Sequence, residues 1–137
     1  MKEEPLRFIV CGGRDWSDEE QVFEVLDRNI PTAGPFTIVT GACPTGADEF
    51  ARRWFLRAKH WNLNGHVEGF CNYEPHPADW KRHGKGAGPL RNLEMALLDA
   101  RTCLAFWDGE SRGTLDMIKR ATKSGIPVRI FPPRRRE

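Results

Sequence analysis

Apolar residues run almost unbroken from position 6 to 11, interrupted only by Arg7. A strand buried on both faces has this pattern. Gly12-Gly13-Arg14-Asp15-Trp16 ends the run. Val22, Val25, Leu26 and Ile30 then recur at helical spacing until Pro31, and Ser17 with Glu20 predicts a capping box at that helix start. Residues 36–40 read as a second strand, followed by the loop Gly41-Ala-Cys-Pro-Thr45-Gly46-Ala47-Asp48. Ala47, Phe50, Ala51, Trp54, Phe55 and Ala58 line one face of a second helix. Residues 66–70 read as a third strand, and 71–83, with Pro75, Pro77, Asp79 and Trp80, as a long loop or short helical turn. Leu90, Leu93, Leu97 and Ala100, with Met95 and Leu98 beside them, predict a well-buried helix near 89–100. Residues 102–107 form a fourth strand. Leu115, Ile118 and Ala121 line a last helix capped by Gly125, and 128–131 is the final strand before Pro132-Pro133.

Strands alternating with helices at this spacing imply a parallel sheet covered on both faces. The expected fold is therefore α/β: a Rossmann-like three-layer αβα sandwich on a mostly parallel five-stranded sheet. One domain should occupy residues 1–133, with 134–137 as a basic, solvated tail. The 137 residues are enough for a core without staples. The formal net charge of +2 demands neither nucleic acid nor a membrane. The first residues lack the apolar core of a signal peptide, and no apolar run reaches membrane-spanning length. The four cysteines, at 11, 43, 71 and 103, form no C-x-x-C pair and have no histidine at zinc-ligand spacing. Reduced thiols, a cytoplasmic location, no metal and no resident cofactor are expected.

The chemistry concentrates in polar glycine loops that precede helices. In open α/β sheets ligands sit where strand ends meet helix starts, and a helix start suits a phosphate. The stretch from Gly84 to Asp116 thus reads as half of a site for an anionic, nucleotide-like ligand. Gly12, Gly13, Arg14, Gly41, Thr45, Gly46 and Asp48 supply the other half. Gly84-x-Gly86-x-Gly88 does not directly follow a strand, so it is no dinucleotide fingerprint. Gly41-x4-Gly46 has P-loop spacing, but Ala47-Asp48 replaces the lysine and hydroxyl, which argues against triphosphate hydrolysis. The amides of residues 45–47 remain candidates for a phosphate. Asp48 suits ribose hydroxyls or its own helix start. Trp16 and Trp80 are candidate stacking rings, although packing is the commoner use of such side chains.

Five motifs occur in order: Gly12-Gly-Arg14-Asp15-Trp16, Gly41…Gly46-Ala47-Asp48, Ala78-Asp79-Trp80, Gly86-x-Gly88-Pro-x-Arg91-Asn92-x-x-Met95 and Gly113-Thr114-x-Asp116. Together they resemble the SLOG superfamily, and within it the small YspA-like group, over nearly the whole chain. The superfamily includes LOG enzymes, which hydrolyse the N-glycosidic bond of cytokinin riboside monophosphates, and the DNA-processing DprA proteins. The LOG pattern pairs an arginine before a helix with Pro-Gly-Gly-x-Gly-Thr-x-Glu. Here Arg91 and Met95 match the first part, and Gly113 and Thr114 the second. Trp107-Asp-Gly-Glu-Ser-Arg replaces Pro-Gly-Gly, and Asp116 stands at the glutamate position.

The resemblance implies a nucleotide-binding sensor or sequestering domain, with Asn92, Gly113 and Thr114 among the binding residues. Its hydrolase alternative makes Asp116 the catalytic carboxylate, with Glu110 second, and Arg91 the phosphate-orienting group. Asp116 also sits three and four residues before Lys119 and Arg120, an ordinary surface ion-pair arrangement. Nucleic-acid binding, from the DprA kinship and the arginine tail, is the less favoured partner class. The apolar 89–100 helix and the crowding of Trp54, Phe55 and Trp61 predict a homodimer, which LOG-type enzymes also form.

Overall fold

The computed structural model of the chain describes residues 4–134. Five parallel strands form one sheet: β1 (Leu6–Gly12), β2 (Phe36–Thr40), β3 (Cys71–Pro75), β4 (Ala100–Phe106) and β5 (Val128–Phe131). Their spatial order is β3-β2-β1-β4-β5, so the chain leaves β1 in one direction and later returns to its other side. The helices are α1 (Glu19–Asn29), α2 (Gly46–Trp61), the single turn α3 (Trp80–His83), α4 (Ala87–Ala96) and α5 (Arg112–Lys123), with a 3-10 turn at Gly84–Gly86 between α3 and α4. The fold is Rossmann-like α/β, as the alternation implied.

The two-residue period of the strands divides the core between two layers. Phe8 and Val10 of β1, Phe36 and Ile38 of β2 and Leu104 and Phe106 of β4 pack with Val22, Leu26, Ala51 and Trp54 of α1 and α2. Ile9 and Cys11, Val39, Cys103 and Ala105 point the other way, onto Met95 and Ala96 of α4 and Met117, Ile118 and Ala121 of α5. Both faces of the central strands are therefore apolar, which explains their unbroken hydrophobic runs. Cys11 and Cys103 are free thiols packed side by side, Sγ to Sγ 3.9 Å. Gly125 has φ +81°, and Ile126 N–H returns to the Ala121 carbonyl at 2.9 Å, closing α5.

Five expectations are corrected. The third strand is Cys71–Pro75, not 66–70. Residues 62–70 fold into successive turns instead, with Gly65, Val67 and Phe70 N–H groups bonding carbonyls three residues back. The N-cap of α1 is Asp18, which accepts Gln21 N–H at 3.0 Å, so no Ser17–Glu20 capping box forms. Leu90, Leu93 and Leu97 of the α4 segment face solvent, while Ala87, Gly88, Asn92, Met95 and Ala96 form its buried side. Trp54 and Phe55 belong to the chain's own core, leaving Trp61 exposed. Of the expected basic tail, Arg134 is anchored by Asp18 at 2.8 and 2.9 Å and by Glu24 at 2.8 Å. The rest of that segment lies outside the described residues. Among the described residues no helix is long and apolar enough to cross a membrane.

Candidate functional site

The strand order reverses between β1 and β4, so the loops leaving their C-terminal ends diverge and open a crevice. A cleft of about 730 Å³ occupies that place. Gly12 and Gly13 form its floor, Arg14 to Asp18 one wall, and Asp108, Glu110, Ser111, Gly113 and Thr114 the wall opposite; Pro133 and Arg134 close one side. Gly12 is required by the floor itself. A Cβ there would stand 2.6 Å from the Ala47 Cβ and 2.9 Å from the Phe106 carbonyl.

The β4–α5 loop is built by one carboxylate. Asp108 Oδ1 accepts the N–H groups of Glu110 and Ser111, each at 2.8 Å. These bonds, Ser111's first, hold the Asp108 carboxyl below its ordinary pKa. Ser111 is then the N-cap of α5: its Oγ accepts Thr114 N–H at 3.4 Å and lies 3.0 Å from Thr114 Oγ1. The amides of Arg112 and Gly113 have no partner among the described residues, and a Cβ on Gly113 would meet nothing within 4 Å. The start of α5 therefore places the open Gly113 amide beside the cleft.

Arg91 and Asn92 lie beneath this wall. Arg91 Nη1 donates to the Gly41 carbonyl at 2.6 Å and to the His76 carbonyl at 3.5 Å, and its Nε donates to Asn92 Oδ1 at 2.8 Å. Asn92 Nδ2 donates to the Gly113 carbonyl at 3.2 Å and to Asp116 Oδ2 at 3.0 Å. Asp116 Oδ2 also accepts Arg120 Nε at 2.9 Å, the ion pair its spacing suggested. Gly41, Asp48, Arg91 and Asn92 border a small cavity of about 30 Å³ that shares Gly12, Gly113 and Thr114 with the main cleft. Asp116 lines neither space.

Asp48 is buried and accepts Cys43 N–H at 3.1 Å. Burial pushes its carboxyl pKa up, against the opposing pull of that N–H and of Arg91. The start of α2 turns toward the β1–α1 loop: Ala47 N–H bonds the Gly13 carbonyl at 3.4 Å, and a Cβ on Gly46 would collide with that oxygen. Thr45 is exposed and makes no side-chain cap bond. Thr45 and Gly46 line neither space. Trp16 is buried against Phe106, with Nε1 lacking a partner among the described residues. Trp80 is half exposed, with the Arg14 guanidinium 5.6 Å from its ring centre. Among the described residues no three His, Cys, Asp or Glu side chains cluster as a metal site would.

The sequence pattern of the YspA, cpYpsA-related SLOG family matches residues 6–83, more than half of the chain. The chain belongs to this SLOG family. The Gene 61 protein of Mycobacterium phage D29 is 40% identical to the SLOG chain over 126 residues, covering 91% of this chain and 95% of the phage protein. Among solved structures, the molybdenum cofactor binding protein of the phototrophic bacterium Rippkaea orientalis shares the fold, with a TM-score of 0.59 at 17% identity, over 96% of this chain and 78% of that one. The family match spans β1 to α3, while the open helix start of the SLOG cleft lies beyond it, in α5.

Sequence reasoning brought Gly12, Gly13, Arg14, Gly113 and Thr114 to this cleft. It did not name Asp18, Cys43 or Arg134, and it covered Asp108 and Ser111 only within the Gly84–Asp116 stretch. The Asp108-x-x-Ser111-x-x-Thr114 spacing carried a local signal, a turn carboxylate followed by an N-cap. The pairing of Arg134 with Asp18 joins residues 116 apart and carried none.

Proposed function

We infer that this SLOG domain binds a nucleotide or nucleotide-derived molecule in the β1/β4 cleft, as a sensor or sequestering module. One observation carries the reading: the start of the twelve-residue helix α5, with the open amide of Gly113, borders a cleft at the strand-order reversal, with Arg14 on the opposite wall. Helix dipole, a free N–H group and a guanidinium together suit one phosphate. The volume lies within the range of small-molecule sites, roughly 300–1,000 Å³. Asp15, Asp108 and Glu110 at the rim are exposed carboxylates that suit ribose hydroxyls or base amino groups. They also disfavour a long polyphosphate, by like-charge repulsion.

Binding without hydrolysis is the better-supported form of this reading. Asp116 is held by Asn92 and Arg120 outside the cleft, and Arg91 is held by two backbone carbonyls and Asn92. Both act on the ligand through the wall they brace. The assembly we propose is a homodimer through α4 and its C-cap, where Leu90, Leu93 and Leu97 form an exposed stripe at helical spacing.

Calorimetric titration with a panel of nucleoside monophosphates, diphosphates and triphosphates tests the reading. A monophosphate should bind best. Arg14→Ala should weaken it about tenfold or more, as loss of a charge-assisted hydrogen bond does. Absence of nucleotide binding, or indifference to Arg14→Ala, overturns it. Release of free base by the wild type would replace the sensor with a hydrolase.

A further inference from the structure

The segment that enters α4 carries a second feature, joined to the cleft through Arg14. From Asp79 to Gly86 every residue is exposed. Trp80, Lys81, Arg82, His83 and Lys85 stand there within six positions, and Arg14 joins them from the β1–α1 loop. The one carboxylate of the segment, Asp79, turns its Oδ1 to Arg82 N–H at 3.1 Å as the α3 N-cap. Asp15 is the neighbouring acid on the Arg14 side.

Elsewhere six arginines are neutralised, while the exposed Arg28, Arg101, Arg112 and Arg129 form no ion pair among the described residues but stand singly along the sequence. Arg7, Arg52, Arg53, Arg57, Arg120 and Arg134 each hold a carboxylate at 2.6–3.1 Å. Among the described residues Arg14, Lys81, Arg82 and Lys85 form no such pair. In a chain of net charge only +2, this segment sets three unpaired cations and His83 within five positions. Trp80 opens the segment, with Arg14 beside its ring, and is 48% exposed. Its ring is backed by the α4 backbone, since a Cβ on Gly88 would come within 3.1 Å of Cη2. Gly84 and Gly86 flank Lys85 with open space where a Cβ would be, so the backbone there is accessible as well.

We propose that the Trp80–Lys85 segment, with Arg14, is a docking surface for single-stranded nucleic acid. Stacking of a base on an exposed aromatic ring, with phosphates on surrounding cations, is how such strands are held without sequence readout. A free nucleotide needs one or two cations, whereas four unpaired ones plus His83 suit several successive phosphates. A duplex keeps its bases stacked inside and cannot use the ring. An acidic peptide would use the charges and leave the tryptophan idle.

The test is fluorescence anisotropy of a labelled oligothymidine of about twelve nucleotides, titrated with the full chain at salt between about 50 and 200 mM. With four phosphates neutralised, log K should fall against log salt with a slope near −2.8, about −0.7 for each. Lys81→Ala with Lys85→Ala should flatten that slope by about 1.4. Trp80→Leu should weaken binding by about 5- to 150-fold, the range measured for loss of one stacked base, and leave the slope unchanged. Circular dichroism melts of each variant report whether the fold is retained. Three results overturn the proposal: no binding at the lowest salt; full affinity in the double lysine variant; or binding of polyglutamate or of a duplex of equal length as tight as that of the single strand.

Discussion

Asn92→Asp is the sharpest probe of how the cleft wall is held. The substitution keeps the shape of a side chain only 4% exposed and removes both of its donors. The Gly113 carbonyl loses its partner, and Asp116 Oδ2, now 3.0 Å away, faces a second carboxylate. The Arg91 Nε bond at 2.8 Å survives and gains charge. Loss of a hydrogen bond to a charged group costs about 1.5–3 kcal/mol and one to a neutral carbonyl about 1 kcal/mol. Two carboxylates at that separation repel by ~5 kcal/mol at an effective dielectric of 20. The gain with Arg91 is of similar size and offsets much of it. A net destabilisation of about 3–4 kcal/mol at pH 7 follows.

The sign of its pH dependence is fixed. Two carboxylates sharing a site raise one pKa, so the folded variant binds a proton that the unfolded chain does not. The deficit relative to wild type should shrink as pH falls, by at most ~1.36 kcal/mol per unit, or ~2.7 kcal/mol between pH 7 and 5. Urea unfolding of both proteins at those pH values measures it. A loss below about 0.5 kcal/mol, within the range of ordinary surface substitutions, would refute the bracing role of Asn92. So would a deficit that does not change with pH.

Further outcomes follow from the same geometry. Gly12→Ala should destabilise by about 1–3 kcal/mol in a thermal melt, because its Cβ meets the Ala47 Cβ and the Phe106 carbonyl, neither the end of a flexible chain. Asp108→Ala should lower nucleotide affinity with little change in melting temperature, since its exposed carboxylate orders the loop before α5. The depressed pKa of Asp108 means its ordering is complete above the ordinary carboxylate range and is lost as pH falls through its folded value, so affinity measured by titration should decline in acid. Leu93→Glu should yield a monomer by light scattering where the wild type gives a dimer, as a charge in the exposed α4 stripe disrupts self-association.

The parts legible in the sequence were those whose local pattern and tertiary role agree. β1 and β2 are buried on both sides, so their apolar runs name them. β3 is an edge strand bearing Asn72, Glu74 and Pro75, with only Cys71 fully buried, so its composition conceals it. The leucines of α4 keep helical period but not the core side. There the helix packs Gly88 against Trp80 and spends its buried face on Asn92, whose three hydrogen bonds no periodicity could reveal. In the cleft, glycines after strands were readable because the backbone itself comes close. The contacts of Arg91 and Asp116 were not, because they run through Asn92 and through backbone carbonyls distant in sequence, and of Asn92 only its place beside Arg91 was readable.

Where a nucleotide touches the protein decides whether the β1/β4 cleft is its site. Titration of an isotopically labelled sample with a nucleoside monophosphate, followed by amide chemical shifts, reports this residue by residue. The largest shifts should fall on Gly12, Gly13, Arg14, Gly113 and Thr114, around the cleft at the strand-order reversal. Shifts centred instead on the α2 start near Thr45 and Gly46, or none at saturating ligand, would contradict it.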